Sequence, residues 1–285
     1  MGLHNLAEKV STITALDGLA DPVRAVVKKV AGRGPVKDLL SGTWMGHSLH
    51  PMLTDIPIGS FTSAAVLDIV AGPGGENAAD LLVALGLVSA IPTAAAGLTD
   101  WSDTYGGEQR LGMIHAIANT VGLVLYGTSL IARRRGNRGT GTALGLAGMG
   151  AMTVGGYLGG HLSYSRGVGV NNGFVEEPPT DWTAVLDDSA LTDGQPVKVE
   201  VDRAKILLWR KDGRLLAIGS SCSHSGGPLE EGEIDARACT VTCPWHQGQF
   251  RLTDGAVVHG PPTVPQPAYD VRIANAKVEV RARPV

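Results

Sequence analysis

Apolar and polar positions follow two different rules along this chain, and the change falls near residue 165. Four stretches, 51–71, 78–98, 111–132 and 142–162, contain no Lys, Arg or Glu. Each holds roughly 20 residues, enough for a helix to cross a hydrocarbon core of about 30 Å. Turn formers separate them: Gly72-Pro-Gly-Gly75, Thr104-Tyr-Gly-Gly107 and Arg133-Arg-Arg-Gly-Asn-Arg-Gly139. Pro57 and Pro92 lie inside apolar stretches, which predicts kinks and freed carbonyls that neighbouring helices must satisfy. In the fourth stretch Ala143, Ala147, Ala151, Gly155 and Gly159 recur every fourth residue. Small residues on one face let membrane helices approach closely, so this helix is expected near the bundle centre.

Ahead of the spans, residues 3–40 read as amphipathic helix, punctuated by Pro22, Gly32, Gly34 and Pro35. Leu19, Val23, Val26, Val27 and Val30 fall on one face and Arg24, Lys28 and Lys29 on the other. Such a segment could lie in the headgroup plane with its basic side toward anionic lipid, or pack on the protein. From Ser163 to Asp181 the composition turns to Arg, Gly, Asn, Glu and Pro. We read 165–181 as a linker able to reach roughly 50 Å when stretched, either swinging or strapped along the membrane part. Past it the period becomes two. Val197–Val201 alternates, Ile206–Trp209 is a short apolar run, and Val278-Glu-Val-Arg-Ala alternates again. Asp212-Gly213 and Asp254-Gly255 are hairpin signals. The expected organisation is an amphipathic segment at 1–46, an all-α four-helix transmembrane bundle at 47–164, the linker at 165–181, and a small all-β antiparallel domain at 182–285.

The 285 residues carry a net charge of −3, so no basic field points to nucleic acid. The N-terminus has no apolar core of a cleavable signal, and none is expected. The chemistry gathers in Cys222-Ser-His224 and Cys243-Pro-Trp-His246, with eighteen residues between the two pairs. Gly226-Gly227-Pro228 makes a tight turn, Pro244 follows the second Cys, and Gly260-Pro261-Pro262 could supply a third, covering loop. Thiolates on one iron and imidazoles on the other are the ligand set of a Rieske [2Fe–2S] centre. Two Cys and two His also suit tetrahedral zinc, though zinc knuckles usually space their ligands Cys-x-x-Cys and His-x-x-x-His. With two of three cysteines committed to the cluster, only Cys239 is left over and no structural disulfide is expected.

From Trp182 to Val280 the chain resembles the Rieske ferredoxin family. The resemblance implies a [2Fe–2S] cluster with Cys222 and Cys243 on the buried iron and His224 and His246 on the outer one, nearest a partner. High-potential members of that family carry a Ser two residues after the second ligand His and a Tyr four after it, where this chain has Gly248 and Phe250. The family's common Gly after that His is Gln247, whose amide could replace one donor. Fewer hydroxyl donors to the sulfurs imply a potential in the lower half of about −150 to +300 mV. At His47-Ser-Leu-His-Pro51 the chain resembles an uncharacterised family of bacterial four-span membrane domains with a His-Pro element. That likeness covers about residues 10–165 and implies topology rather than chemistry.

Alternating helix direction gathers His47, His50, Asp55, Asp100, Asp103, His115 and His161 at one end of the bundle, where the β domain also departs. Ionisable groups at membrane depth are costly and point to function. His115 with Asn119, and Tyr157 with His161, share helix faces. We expect His115 and His161 to serve one site, with His50 as the substitute for either, ligating haem b axially or binding a quinone headgroup. The alternative is that these groups simply meet headgroups and water. Arg133, Arg134, Arg135 and Arg138 would be cytoplasmic by the positive-inside rule, but Lys28, Lys29, Arg33, Lys37, Arg110 and Arg166 oppose them. The missing disulfide, which the family's quinol-oxidising members have, and assembly of the cluster inside the cell favour a cytoplasmic cluster domain.

The leading expectation is a membrane-anchored, multi-pass iron–sulfur protein, an electron-transfer protein or oxidoreductase component. It would pass single electrons between a membrane site (haem or quinone) and a partner protein, with lipid around it, no nucleic acid, and oligomeric state open. Two rivals are an anchored ferredoxin component of an oxygenase system and a non-catalytic redox sensor or assembly factor. Too few residues follow the linker to house a separate mononuclear iron domain, which excludes an autonomous oxygenase.

Overall fold

The structure is a computed structural model that describes residues 2–174 and 176–283. Among them the helices are α1 (Leu3–Ser11), α2 (Asp17–Ala31), α3 (Gly34–Ser41), α4 (Leu49–Val70), α5 (Glu76–Trp101), α6 (Gly106–Arg134) and α7 (Arg138–Gly160). A π-helical turn, His161–Ser165, follows α7. The chain divides into two compact units. Met1–Gly32 and Leu49–Val168 form the first; Arg33–Ser48 and Gly169–Val285 form the second.

In the helical unit α4, α5 with its preceding turn, and α6 have mean hydropathies of 1.3, 2.1 and 1.4, and by length and composition could each cross a membrane. The expected fourth span is a helix of comparable length, 23 residues, but so rich in Gly that it does not reach the apolarity of the other three. Large apolar side chains on these helices, such as Val70, Leu81, Val88, Ile91 and Val124, stand exposed. Water would not tolerate so extensive an apolar surface; lipid would. The small-residue face of α7 is set differently from the expectation. Ala143 and Ala147 are exposed, while Gly141, Gly145, Gly148 and Gly155 are buried, because Arg133, Tyr126 and Asn119 of α6 pack against that side.

Pro57 and Pro92 leave their helices continuous. Pro57 cannot donate to the carbonyl of Leu53, and the Thr93 hydroxyl of α5 donates to it instead, at 3.1 Å. At the other end of the bundle Arg133 is paired with Asp68 and Asp80, and Arg138 with the same two carboxylates.

The punctuated amphipathic helix expected over 3–40 is three helices. A 3-10 turn at Thr14–Leu16 separates the first two, Pro22 lies within α2 without breaking it, and Arg33 is extended ahead of Pro35, which opens α3. The orientation of α2 is also the reverse of the headgroup picture. Its basic face is turned to protein: Lys28 Nζ lies 3.7 Å from Asp103 and 3.2 Å from the Tyr105 hydroxyl, and Arg24 sits 4.6 Å over the Tyr105 ring. Arg110 forks onto both oxygens of Asp17 at 2.7 Å. Leu19, Val23, Val26 and Val30 face outward and exposed.

The second unit is built on two antiparallel sheets. The larger runs in the order β1 (Thr183–Asp187), β10 (Lys277–Ala282), β9 (Ala268–Ala274), β4 (Arg214–Gly219), β3 (Ala204–Lys211), β2 (Val197–Val201). The smaller is β5 (Glu233–Asp235), β6 (Thr240–Thr242), β7 (Gln249–Arg251), β8 (Val257–His259). Asp212-Gly213 turns β3 into β4 with both residues left-handed (φ 50 and 76), as the sequence signal requires. Strand β3 buries both faces: Leu207 and Trp209 meet the core shared with Val241 and Phe250, while Ile206 and Leu208 meet Tyr269, Val278 and Val280. That double burial is why it reads as an unbroken apolar run.

The stretch 169–181 belongs to this unit. Asn172 donates from its backbone to Ser223 O at 2.9 Å and from its side chain to His224 O at 2.8 Å. Ala282 N donates to Pro179 O at 2.7 Å. It is thus strapped to the β unit; Val175 lies outside the described residues.

Candidate metal centre

Cys222 follows β4 and Cys243 follows β6, and both thiols are buried in the core with Leu229, Val241 and Phe250. The loops they open are conformational copies. In the first, Gly226 N donates to Cys222 O (2.7 Å) and Cys222 N to Gly227 O (2.8 Å). In the second, Gln247 N donates to Cys243 O (3.0 Å) and Cys243 N to Gly248 O (2.8 Å). Gly226 and Gln247 are therefore equivalent, and both are left-handed, with φ of 72 and 63. The sulfurs are served alike as well. Backbone N–H groups of His224 and Ser225 donate to Cys222, and those of Trp245 and His246 donate to Cys243.

The two thiols also hydrogen-bond to each other, and this sets their acidities apart. The bond to Cys222 pulls the Cys243 thiol down to about 6, with burial opposing and the two N–H groups assisting. The same bond, reinforced by burial, pushes the Cys222 thiol up. His224 and His246 are half-buried, their ring centroids 4.8 Å apart and nearly perpendicular. Trp245, 54% exposed, meets the His246 ring edge-on at 6.5 Å.

Sulfurs pair with sulfur and imidazole with imidazole. Among the described residues, the one group of three or more Cys, His, Asp or Glu donors gathered within 4.8 Å of one another is His4, Glu8 and His161, so these four donors do not converge on a point. A single zinc with bonds of about 2.0–2.3 Å would need them to. A binuclear cluster, thiolates on one metal and imidazoles on the other, fits the arrangement. The loops also leave no room for larger side chains. A Cβ at Gly227 would stand 2.8 Å from the Cys243 sulfur, and one at Gly248 would stand 2.4 Å from Pro262 Cδ.

The third loop, Gly260-Pro261-Pro262, has a partner that no sequence signal marked. Asp38 of α3 accepts from Gly260 N at 2.7 Å and faces His259 Nδ1 at 3.0 Å, and the Thr43 hydroxyl donates to Pro262 O at 3.3 Å. The short helix ahead of the spans is in this way a component of the β unit.

The three imidazoles expected to share a membrane site divide. His50 and His115 meet edge-to-face with centroids 6.3 Å apart. Their Nδ1 atoms lie 2.9 Å from Thr93 O and 2.7 Å from Gly155 O, and Asn119 Nδ2 lies 3.2 Å from His115 Nε2. His161 instead meets Glu8, Nε2 to Oε1 at 3.0 Å, and the ring of His4, at 5.3 Å. His4 and Glu8 are one turn apart on α1, an i, i+4 spacing visible in the sequence.

Residues 181–270 match the Rieske [2Fe-2S] domain family, and residues 46–172 match a family described as predicted membrane protein (DUF2231). The ferredoxin component of the naphthalene 1,2-dioxygenase/salicylate 5-hydroxylase systems of a Ralstonia species is 31% identical over 98 residues, 34% of this chain and 90% of that protein. Human apoptosis-inducing factor 3 is 34% identical over 99 residues, 35% of this chain; the chain spans only 16% of its length. Among solved structures, the ferredoxin of carbazole 1,9a-dioxygenase from Nocardioides aromaticivorans IC177 matches at 28% identity and a TM-score of 0.35, covering 36% of this chain and all of that one. The chain belongs to the Rieske [2Fe–2S] family, with its cluster domain joined in one polypeptide to a domain of the predicted membrane protein family.

Proposed function

We propose that the protein is a membrane-anchored electron carrier, with its membrane part at 47–164 and its electron-transfer part at 182–285. It would take and give single electrons through a [2Fe–2S] centre held by Cys222, His224, Cys243 and His246. The observation that carries this reading is the separation of a buried sulfur pair from a half-buried imidazole pair. When bound, the cluster supplies one-electron redox chemistry. The chain does the rest. Four backbone N–H groups aimed at the two sulfurs stabilise negative charge there, and the surrounding apolar core excludes water from them. The imidazoles and exposed Trp245 stand at the outer end, where a partner protein would dock.

In the membrane part, His50 and His115 are the pair we assign to a haem b or quinone site exchanging electrons with the cluster. Their Nδ1 contacts to helix carbonyls support this, since such a contact fixes the tautomer; it leaves Nε2 of His50 for a ligand, while at His115 a ligand would displace the Asn119 amide from Nε2. The exposed apolar faces of the spans and of α2 support a multi-pass position with α2 at the interface. A second reading, an anchored ferredoxin serving an oxygenase, is favoured by the likeness to the Ralstonia ferredoxin component over nearly all of that protein's length.

The deciding experiment is the EPR and visible spectrum of the detergent-purified, dithionite-reduced protein, together with iron and acid-labile sulfide analysis. A rhombic signal with average g below about 2 is expected. His246→Cys should keep a cluster but give an ordinary ferredoxin-type signal. Zinc in place of iron and sulfide would overturn the reading. A redox-sensitive Soret band lost in His115→Ala would select haem over quinone, and reduction by a ferredoxin reductase without any quinone or haem response would select the second reading.

A further inference from the structure

His161, His4 and Glu8 belong to none of the chemistry above. Helix α1 carries His4 and Glu8 four residues apart and so on one face. It lies against the end of the bundle, where Ala7 packs with Leu111 and Leu158. There the π-helical turn presents His161, whose side chain is only 3% exposed, to Glu8 Oε1 at 3.0 Å. Donor atoms of the three residues all lie within 4.8 Å of one another. The two imidazole centroids are 5.3 Å apart and tilted by 54°. With Zn–N bonds of about 2 Å, two imidazoles at a tetrahedral angle put their centroids about 5.2 Å apart.

The carboxylate is already oriented. Arg166 donates from Nε to Glu8 Oε1 at 3.2 Å and from Nη2 to Oε2 at 2.5 Å, and from Nη1 to Glu108 at 2.9 Å. The hydrogen bond to His161 is the main cause, with Arg166 adding to it, of Glu8 being held below the usual carboxylate range, against its desolvation. A ligating carboxylate is normally steadied in this way by an outer hydrogen bond. A metal ion would take the place of the proton that His161 now shares with Glu8, and the guanidinium would keep its grip on the far oxygen. Two neutral imidazoles and one carboxylate carry a single negative charge, suited to a borderline divalent ion and too nitrogen-rich for magnesium or calcium.

We propose that His4, Glu8 and His161 form a divalent transition-metal site, best matched to zinc, that fastens helix α1 to the turn ending α7. The site is independent of the iron–sulfur centre. With three protein ligands it keeps a position open for water or an exogenous ligand.

The test uses the full-length, cluster-loaded protein in detergent, equilibrated with zinc chloride alone and passed through a desalting column. Zinc, iron and sulfide are then counted together, and zinc affinity is measured by competition with a chelating dye. About one zinc per chain is expected above an unchanged iron and sulfide content. His161→Ala and Glu8→Gln should each abolish that uptake. His4 is exposed, so His4→Ala leaves packing intact and should weaken zinc at least tenfold, while Arg166→Lys should weaken it by about 10- to 100-fold. Equal uptake by wild type, His4→Ala and His161→Ala would overturn the proposal. So would zinc gained only in proportion to iron lost, which would place it on the cluster cysteines, or no uptake at all.

Discussion

At the scale of single residues, the equivalence of the two ligand loops explains positions that look unrelated in the sequence. Gln247 occupies the left-handed place that Gly226 fills in the first loop. A side chain there costs roughly 1 kcal/mol. Its side chain is exposed, so it is not placed to act as a buried donor to the sulfurs. Gln247→Gly should therefore raise the stability of the cluster-loaded protein by up to about 1 kcal/mol and shift the midpoint potential little. Gly248→Ser tests the hydroxyl found in high-potential relatives. Here the Pro262 ring stands where the new Cβ would go, so the change should displace the proline loop and cost stability before it supplies a donor. Film voltammetry with thermal melts separates the two effects, and a raised potential with an unaltered melt would show that the loop yields freely.

Glu230 adds a pH dependence to the β unit. Burial opposes its ionisation, but the Ser220 hydroxyl at 2.5 Å, its own backbone N–H and Lys198 at 3.0 Å together hold its carboxyl below the usual range. A carboxyl depressed in the folded state binds fewer protons there than in the unfolded chain. Its stabilisation is present above the unfolded carboxylate value and is lost as pH falls through the lower, folded one. Melting temperature followed at the cluster absorbance should drop through that acid window, and Glu230→Gln should flatten this part of the profile at a cost of about 1–2 kcal/mol at neutral pH.

At the scale of elements, the spans show how a membrane bundle absorbs its prolines. Thr93 is 8% exposed and serves two helices, donating to Leu53 O, freed by Pro57, and to Ser89 O of its own helix. Thr93→Val keeps the shape and removes the donor. It should destabilise the protein by about 1–3 kcal/mol, the cost of an unsatisfied buried carbonyl. The Thr93 carbonyl that meets His50 Nδ1 belongs to the backbone and is kept. Thr93→Ser should restore the stability. Equal melts for Thr93→Val and wild type would mean that the Leu53 carbonyl finds another partner without the hydroxyl. On the β side, α3 acts as an element of the cluster domain. Cutting the chain after residue 48 to make a soluble domain would remove Asp38 and Thr43 from the proline loop.

At the scale of the whole molecule, the cations at both ends of the bundle are paired. Arg133 and Arg138 are matched by Asp68 and Asp80, and Lys28, Arg110 and Arg166 at the other end by Asp103, Asp17 and Glu8. Orientation follows the count of Lys and Arg rather than net charge, so pairing favours neither side. We expect the cluster domain on the cytoplasmic side because no disulfide stands beside the candidate ligands and such clusters are assembled inside the cell. Cys239 is a native reporter, half-exposed beside two buried cysteines. A membrane-impermeant maleimide should leave it unmodified in intact cells and label it once cells are opened. Labelling in intact cells would place the cluster domain outside.

What the sequence determined by itself is whatever depends on period or on close spacing. Hydrophobic runs set the long helices, two-residue alternation and Asp-Gly turns set the sheets, and Cys-x-His with Cys-x-x-His names the candidate metal ligands, because each rests on residues a few positions apart. The tertiary structure decided the partnerships across the chain. Asp38 reaches Gly260 over 222 positions, Glu8 reaches His161 over 153, and Asn172 reaches His224 over 52. Helix α2 turned its basic face inward because acidic and aromatic partners wait on the α5–α6 connection, and no periodicity within α2 could report them. Three histidines read as one set separated for the same reason. A helical wheel gives the face on which an imidazole lies, but the neighbour it meets is fixed only when the helices pack.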